Sequence, residues 1–392
     1  MINRVNRNKC CGCAACVQVC PVGCIHMQED DEGFLFPRLD STRCIKCNKC
    51  VRVCPAMVVL PTQKPTACYA YRSKDIEVLE NTSSGGFFTA AARKALKRGG
   101  VVFGASFNDK NEVGHCFIES EEKLDLLRRS KYVQSRIGEA FVKCRQILDQ
   151  GRVVLFCGTP CQIKALKLFL PQKYDNLIAV DFVCHGVPSP GVFRRYLADL
   201  ADAKEMELSA LHDINFRDKG AGFSYPFSFS YSFSSSFFME NPAENIFLKG
   251  FLADIYLRRS CYNCPAKGHS SGADYTICDF WGVEKRLPSF RVDNIPGVSQ
   301  VFVKNDALGL FDGPLEDADV MPLDLRQWWV EPLWLKRSVS YTTRRKRFFN
   351  GYKLNVPLSR LVLQCLEPTL LDKVKTYIRR LQIIAARMVG VI

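Results

Sequence analysis

Eight cysteines near the start of the chain repeat one spacing. Cys10, Cys13, Cys16 and Cys20 precede Pro21, and Cys44, Cys47, Cys50 and Cys54 precede Pro55. Three thiolates at intervals of three residues wrap a loop around one 4Fe-4S cube. The fourth, just before proline, points away to the other cube. One cluster is therefore expected on Cys10, Cys13, Cys16 and Cys54, and a second on Cys44, Cys47, Cys50 and Cys20. Such centres carry single electrons. The competing readings are zinc knuckles and a disulfide framework. Zinc sites use two separated cysteine pairs, whereas here four cysteines stand in one tight run, twice over.

Further thiols are placed for the same chemistry. Cys261-Tyr262-Asn263-Cys264-Pro265 is a CxxC in a polar segment, preceded by Arg258 and Arg259. Two thiolates at this spacing are half a metal site. Cys161 and Cys184 each follow a hydrophobic run that reads as a strand. If adjacent parallel strands carry them, both thiols open onto one sheet edge, and four thiolates suffice for a third 4Fe-4S cube. Alternatively, Cys161 and Cys184 are ordinary small buried residues. Ser83-Ser84-Gly85-Gly86 at a helix start can receive a phosphate on free N–H groups; a plain helix cap explains the same residues. Of the five histidines, His185 and His115 stand near these loops. His185, beside Cys184, is either a catalytic proton donor or a structural loop residue.

The elements that must position these groups follow from pattern. Residues 25–27 and 34–36 flank the turn 29–33 and read as a hairpin between the cysteine runs. Pro55, Pro61 and Pro65 mark a linker. Beyond it, strands and helices alternate: strands at 68–72, 101–106, 153–157 and 177–183, helices at 87–97, 137–148, 162–170 and 190–200. The fold class expected is α/β (α+β). A small two-cluster ferredoxin module, residues 1–62 with repeats at about 1–30 and 35–64, precedes a mixed α/β domain over 66–305. A basic helical region, 306–392, ends the chain. Residues 223–233 place aromatics at every odd position, a strand whose aromatic face either packs in a core or stacks bases. Residues 370–392 carry apolar positions interleaved with Lys373, Lys375, Arg379, Arg380 and Arg387, a basic amphipathic helix.

Composition sets the bounds. The chain has 392 residues, 47% hydrophobic and 24% charged, and a formal net charge of +14. From Lys336 onward there are 13 basic and 2 acidic residues, a local net of +11, so most of the excess lies at that end. This argues against a nucleic-acid-binding function. It leaves a solvated tail, or a docking surface for an acidic partner or an anionic membrane. The opening MINRVNRNKC has no apolar stretch of the kind a secretory signal needs, and no run suits a membrane span. Many free thiols suit a reducing compartment, and a cytoplasmic location is expected.

The ordered segments NTSSGGFFTAAARKAL, SKYVQSRIGEAF, LFCGTPCQIKALK, VDFVCHGVPSPGVF, INFRDKGAGF and SCYNCPAKGHSSGADYTICDFWG resemble the coenzyme F420 hydrogenase/dehydrogenase beta-subunit family. That family includes the 7-hydroxymethyl chlorophyll a reductases. The resemblance spans about residues 66–305 and implies an FAD-binding domain beside a 4Fe-4S cluster. It places the cluster on Cys161, Cys184, Cys261 and Cys264. It implies flavin contacts at Ser83, Ser84, Gly85, Gly86, Lys131, Gln134, Ser135 and Thr159. Arg217 and Lys219, in FRDKG, bind an anion of substrate or flavin, or are surface charges. Cys157 and Cys278 are left out of the cluster. The fused ferredoxin resembles a bacterial branch associated with polysaccharide assembly, and F420 is not carried over as the substrate. The expectation is an iron–sulfur flavoprotein oxidoreductase with three 4Fe-4S clusters and FAD. It exchanges electrons with a redox partner such as a ferredoxin and with a small organic substrate. The alternative is a non-catalytic electron-transfer subunit of a larger complex.

Overall fold

The computed structural model describes residues 2, 5–219, 228–288, 290, 297–311, 316–327 and 329–367. The expected helix at 370–392 and residues 223–227 of the aromatic run lie outside the described residues.

The hairpin between the cysteine runs is present. Strand β1 (Ile25–Glu29) pairs antiparallel with β2 (Leu35–Leu39), Ile25 opposite Leu39. A single helical turn closes each cysteine loop, Ala15–Gln18 in the first and Lys49–Arg52 in the second. Ile2, Cys16, Cys24, Ile25 and Cys54 form this module's small core. So few apolar residues hold a module only weakly, which is where metal centres usually contribute.

The larger unit is built on an eight-stranded sheet. Its strands are β3 (Ala67–Ser73), β4 (Val101–Phe107), β5 (Val113–Ile118), β6 (Val154–Gly158), β7 (Leu177–Phe182), β11 (Tyr275–Asp279), β12 (Ser299–Val303) and β13 (Ala318–Pro322). Their order is β13-β3-β12-β11-β7-β6-β4-β5. Strands β4, β6, β7 and β11 run parallel. Strand β12 is antiparallel to both β11 and β3, so β3 runs with the parallel set. Residues alternate faces along each strand. Val101, Phe103, Val154, Phe156, Leu177 and Ala179 pack under the helices Ala140–Asp149 and Pro160–Phe169. Val102, Leu155, Ile178 and Val180 face the helix Phe87–Lys97. Burial on both faces explains why these strands read as continuous apolar runs.

A second core surrounds a three-stranded antiparallel sheet, β8 (Leu211–Asp218), β9 (Ser228–Phe233) and β10 (Ser236–Glu240), with β9 in the middle. Phe229, Tyr231 and Phe233 are fully buried against Phe193, Tyr196 and Phe247. The aromatic face over residues 229–233 is therefore core. Part of the basic C-terminal region joins it: Phe348 and Phe349 of the helix Thr343–Lys353, and Leu361 and Val362 of Leu358–Leu366.

The N-terminal module is seated on this body at three places. Phe34 and Phe36 insert into the aromatic core. The Gln18 side chain accepts from the amides of Phe141 and Val142, each at 3.1 Å, satisfying the open start of the helix Ala140–Asp149. Glu32, at the hairpin turn, is 3% exposed and receives both Arg345, itself 1% exposed, and Arg259. Burial alone would raise the Glu32 carboxyl, but hydrogen bonds and charge from Arg345 and Arg259 overcome it and bring the pKa down to about 2.

Removing one member of a buried ion pair strands the other. Glu32→Gln is expected to cost about 3–5 kcal/mol in urea unfolding. The carboxylate's contribution is present above the ordinary value of 4.5 and is lost as pH falls toward about 2. The acid-unfolding curve of the wild type should therefore be steeper than that of Glu32→Gln across this window. Parallel curves would contradict the assignment.

Candidate metal centres

Strands β6 and β7 are adjacent and parallel, which is the condition that brings Cys161 and Cys184 together. β6 ends at Gly158, and the helix starts at once with Pro160 in its first position, where a missing N–H costs nothing. The Gln162 side-chain oxygen accepts from the Thr159 amide at 2.9 Å and its hydroxyl at 3.0 Å, fixing this turn. Cys161 sits in that first turn. Cys184 lies two residues beyond β7. Cys261 falls within the short 3-10 turn Arg259–Asn263, and Cys264 caps it.

The four thiols of Cys161, Cys184, Cys261 and Cys264 line one cavity of about 620 Å³, counted to its solvent mouth. Their surroundings hold them by donors: the Thr159 hydroxyl lies 3.2 Å from the Cys161 sulfur, and the Val187 amide 3.4 Å from that of Cys261. Burial, then repulsion from Cys264 and Cys161, pushes the Cys261 thiol up to about 12; Cys264 is raised by burial and by Cys161 to about 11. Cys184 is raised by burial and by Cys261, and Cys161 by its contact with Cys11 and by burial. Four thiolates cannot coexist here unless a positive core lies among them. Among the described residues no group of three or more His, Cys, Asp or Glu side chains is arranged to hold a metal ion. Four thiols around one cavity are the number of ligands that a 4Fe-4S cube would need.

In the N-terminal module the cysteines of the two runs stand close to one another. Cys20, Cys44, Cys47 and Cys50 line a second cavity of about 330 Å³. The Cys16 thiol interacts with those of Cys10, Cys54 and Cys50, and Cys13 with Cys16 and Cys10. Cys20 thus lies with the cysteines of the second run, and Cys54 with those of the first. Sequence reasoning missed two further thiols. Cys24 joins the second cavity, its sulfur 3.4 Å from that of Cys20. Cys11 lines the Cys161 cavity and contacts both Cys13 and Cys161. Its position one residue after Cys10 carried no signal, because only docking of the module gives it a neighbour.

Arg258 stands where the two regions meet. It is 1% exposed. It donates to the Cys10 carbonyl at 2.7 Å, the Leu35 carbonyl at 2.9 Å and the Gln134 side chain at 3.0 Å. Its guanidinium carbon lies 4.2 Å from the Phe36 ring centre. Among the described residues no carboxylate pairs with it. On the other side it lines the four-thiol cavity, as does Lys267, which donates to the Cys184 and Trp334 carbonyls, each at 2.6 Å. His185 is also in the wall. Its Nε2 meets Asp254 Oδ1 at 2.5 Å, and its ring packs edge-on to Phe251 and Trp334. Cys157 and Cys278 do not line this cavity.

The eight residues that resemblance assigned to flavin separate into groups, and none of them lines the four-thiol cavity. Gln134 donates to the Cys11 carbonyl at 2.8 Å, Ser135 receives Gln162 at 2.9 Å, and Thr159 holds Cys161. Ser83 receives the Ser130 hydroxyl at 3.0 Å, and Ser84 donates to the Val298 carbonyl at 3.0 Å. Gly85 gives its amide to the Ser299 hydroxyl and accepts from the Ser73 amide. Gly86 has φ +90° and leaves the helix Phe87–Lys97 without a side-chain cap on its first amides. Lys131 lies beside Cys116 and Cys157; burial lowers its amine to about 7. Arg217 and Lys219 are not surface charges. Arg217 is 6% exposed and pairs with Asp279 at 2.6 Å, while Lys219, 5% exposed, donates to the Leu79 and Ser84 carbonyls. An uncapped helix start beside buried amines suits an anionic ligand, so the residues present fit a phosphate-bearing cofactor at the C-terminal edge of the sheet.

Comparison with known families gives the class. Residues 9–58 match the model of the 4Fe-4S dicluster domain. Residues 151–311 match the model for the C terminus of the coenzyme F420 hydrogenase/dehydrogenase beta subunit, and this domain is of that type. A solved structure titled as a xenon derivative of the F420-reducing [NiFe] hydrogenase complex from Methanosarcina barkeri is similar at 18% identity. It covers 68% of this chain and 85% of that one, with a TM-score of 0.44. No curated protein matches. Among the described residues no helix is long and apolar enough to cross a membrane.

A Cβ on Gly85 would stand 2.2 Å from the Tyr71 carbonyl and 2.5 Å from the Ser299 amide. Its smallness is needed by the backbone of β3 and β12. Gly85→Ala should therefore lower stability by about 1–3 kcal/mol, read as a shift of the urea midpoint. The shift should be the same in protein stripped of any bound cofactor. A loss confined to cofactor-loaded protein would show that the glycine instead serves a ligand.

Proposed function

We propose that this chain is an iron–sulfur flavoprotein oxidoreductase that exchanges single electrons with a partner protein and electron pairs with a small organic substrate. The observation that carries the reading is the convergence of Cys161, Cys184, Cys261 and Cys264 on one cavity whose wall includes Cys11 of the N-terminal module. In this reading residues 1–62 carry two 4Fe-4S clusters, residues 66–305 carry a third 4Fe-4S cluster and FAD, and 306–392 is the basic region. The first cluster is held by Cys10, Cys13, Cys16 and Cys54, the second by Cys44, Cys47, Cys50 and Cys20, and the third by the converging four.

Bound FAD would supply the conversion between one-electron and two-electron chemistry. The chain's own part is placement and electrostatics. The start of the helix Phe87–Lys97, together with Lys131 and the buried amine of Lys219, would hold the cofactor's anionic groups. Arg258 and Lys267 favour negative charge among the four thiols. His185, held by Asp254 at Nε2, would have Nδ1 as the ring nitrogen left to move a proton on the wall of the cavity. Many free thiols suit a reducing, cytoplasmic setting.

The test is anaerobic purification with iron, sulfide and flavin counted per chain. About twelve irons and one flavin are expected for three four-iron centres. Cys261→Ser should lose about four irons and keep the paramagnetic signals of the other two clusters. About eight irons in the wild type would remove the third site, and no flavin on denaturation would remove the cofactor. Reduced protein that holds flavin yet turns over none of a panel of organic acceptors would mark an electron-transfer subunit instead.

A further inference from the structure

The two cysteine loops are copies in backbone and opposites in dress. In the first, Gly12 has φ +69° and Ala14 φ +56°; in the second, the corresponding Lys46 has φ +57° and Asn48 φ +59°. The same loop is thus drawn twice. The residues between ligands differ by what they face. Cys11, Gly12, Ala14 and Ala15 are small, and Cys11, Ala14 and Ala15 are buried. A Cβ on Gly12 would stand 2.7 Å from Arg258 Nη1 and 2.9 Å from Gln134 Nε2. Ile45, Lys46, Asn48 and Lys49, at the same four places, are all exposed, Ile45 by 61%. One copy is closed against the four-thiol cavity, and the other looks out of the molecule.

The outward face has a consistent charge. From Ser41 to Lys74 there is no acidic residue, while Arg43, Lys46, Lys49, Arg52 and Lys64 are all exposed. Met57 is 47% exposed and Val59 90%. None of the residues lining the cavity of Cys20, Cys44, Cys47 and Cys50 is acidic. The turn of the same hairpin, by contrast, holds Glu29, Asp30, Asp31 and Glu32. A basic rim around a half-exposed thiol loop, with apolar side chains beside it, has the anatomy of a transient docking site. Electron transfer weakens steeply with separation, so a protein donor must cover a centre it can approach closely.

We infer that the face formed by Ile45, Lys46, Lys49, Arg52, Met57 and Val59 is the docking surface for a small acidic electron-carrier protein, and that electrons are exchanged with the outside over the second cysteine loop. The first loop is the internal side, sealed to the body by Arg258 and Gln134. The inference rests on the proposed electron-transfer function. It differs from the expectation that the basic C-terminal region receives the partner.

The experiment uses the full chain, purified anaerobically, and an oxidised acidic two-cluster bacterial ferredoxin as probe. Binding is followed by titration calorimetry at several salt concentrations. Lys46→Asn/Lys49→Glu is compared with Lys346→Glu/Arg347→Glu, which reverses two exposed charges of the helix Thr343–Lys353. Asn is chosen at Lys46 because it tolerates the positive φ. The Lys46 variant should weaken binding at low salt about tenfold or more and flatten its salt dependence. Its iron content and its bleaching by dithionite should be unchanged. The Lys346 variant should bind as wild type does. Unchanged probe binding in the Lys46 variant, or an equal loss in the Lys346 variant, would overturn the assignment. So would a Lys46 variant that loses affinity for anionic phosphatidylserine vesicles while keeping it for the ferredoxin. Probe binding is read without turnover, so a failure of the proposed chemistry shows separately in the iron and flavin counts.

Discussion

Among the described residues Arg258 is a buried cation with no carboxylate partner, and it reaches the Cys10 thiol at 3.8 Å. Burying a guanidinium costs several kcal/mol unless its donors are satisfied. Here they are satisfied by neutral oxygens, the carbonyls of Cys10 and Leu35 and the amide of Gln134. Hydrogen bonds from a charged donor are worth about 1.5–3 kcal/mol each, so three of them offset the desolvation. The charge itself remains uncompensated. On one side of it lies the loop of Cys10 and on the other the cavity of Cys161 and Cys261. One cation therefore stands between the cysteines of the N-terminal loop and those of the cavity, and would favour negative charge on both sides. The seating of the N-terminal module, the absence of a side chain at Gly12 and the position of Cys11 all follow from this arrangement.

The ion pair of Glu32 with Arg345 works differently, as a latch between segments far apart in the chain. Arg345 belongs to a helix whose neighbours Phe348 and Phe349 are buried in the aromatic core. That helix is basic in sequence because its outer face is solvated and because one arginine reaches inward. A local net positive charge can therefore conceal a structural residue. Lys219 and Arg217 teach the same lesson in the FRDKG segment. They read equally as ligands or as surface charges, and they are neither exposed nor, in Arg217's case, free, since Asp279 holds it.

What was legible in the sequence was whatever depends on local spacing. The cysteine runs, the hairpin between them, the helix at 87–97 and the parallel strands each leave a periodic or positional trace; the helix and these strands stand within a residue or two of expectation, and the hairpin strands end two to three residues later. The helix expected at 137–148 begins later, at Ala140, because Gly138 takes a φ of +55°, and Gln18 from the other module receives the amides of Phe141 and Val142. No sequence window contains that pair. Cys11 and Arg258 were invisible for the same reason, since their roles exist only after docking. Gly85 was misleading in a further way. A glycine beside serines at a helix start resembles a phosphate loop, yet its amide is already engaged by Ser299 and its carbonyl by Ser73. The donors without a side-chain cap belong to the next residues, at the first turn of the helix.

The repeat itself carries the last step of the argument. A duplicated loop begins with two equivalent faces, and the molecule must treat them unequally once one of them is buried. Small residues follow on the buried copy, because Arg258 and Gln134 leave no room. Basic and apolar residues stand on the exposed copy, where Ile45, Lys46 and Lys49 are exposed. The difference between Gly12 and Lys46, at one backbone conformation, is thus a record of orientation. It says which cysteine loop faces the rest of the protein and which faces other molecules, and it says so without reference to the direction in which electrons move.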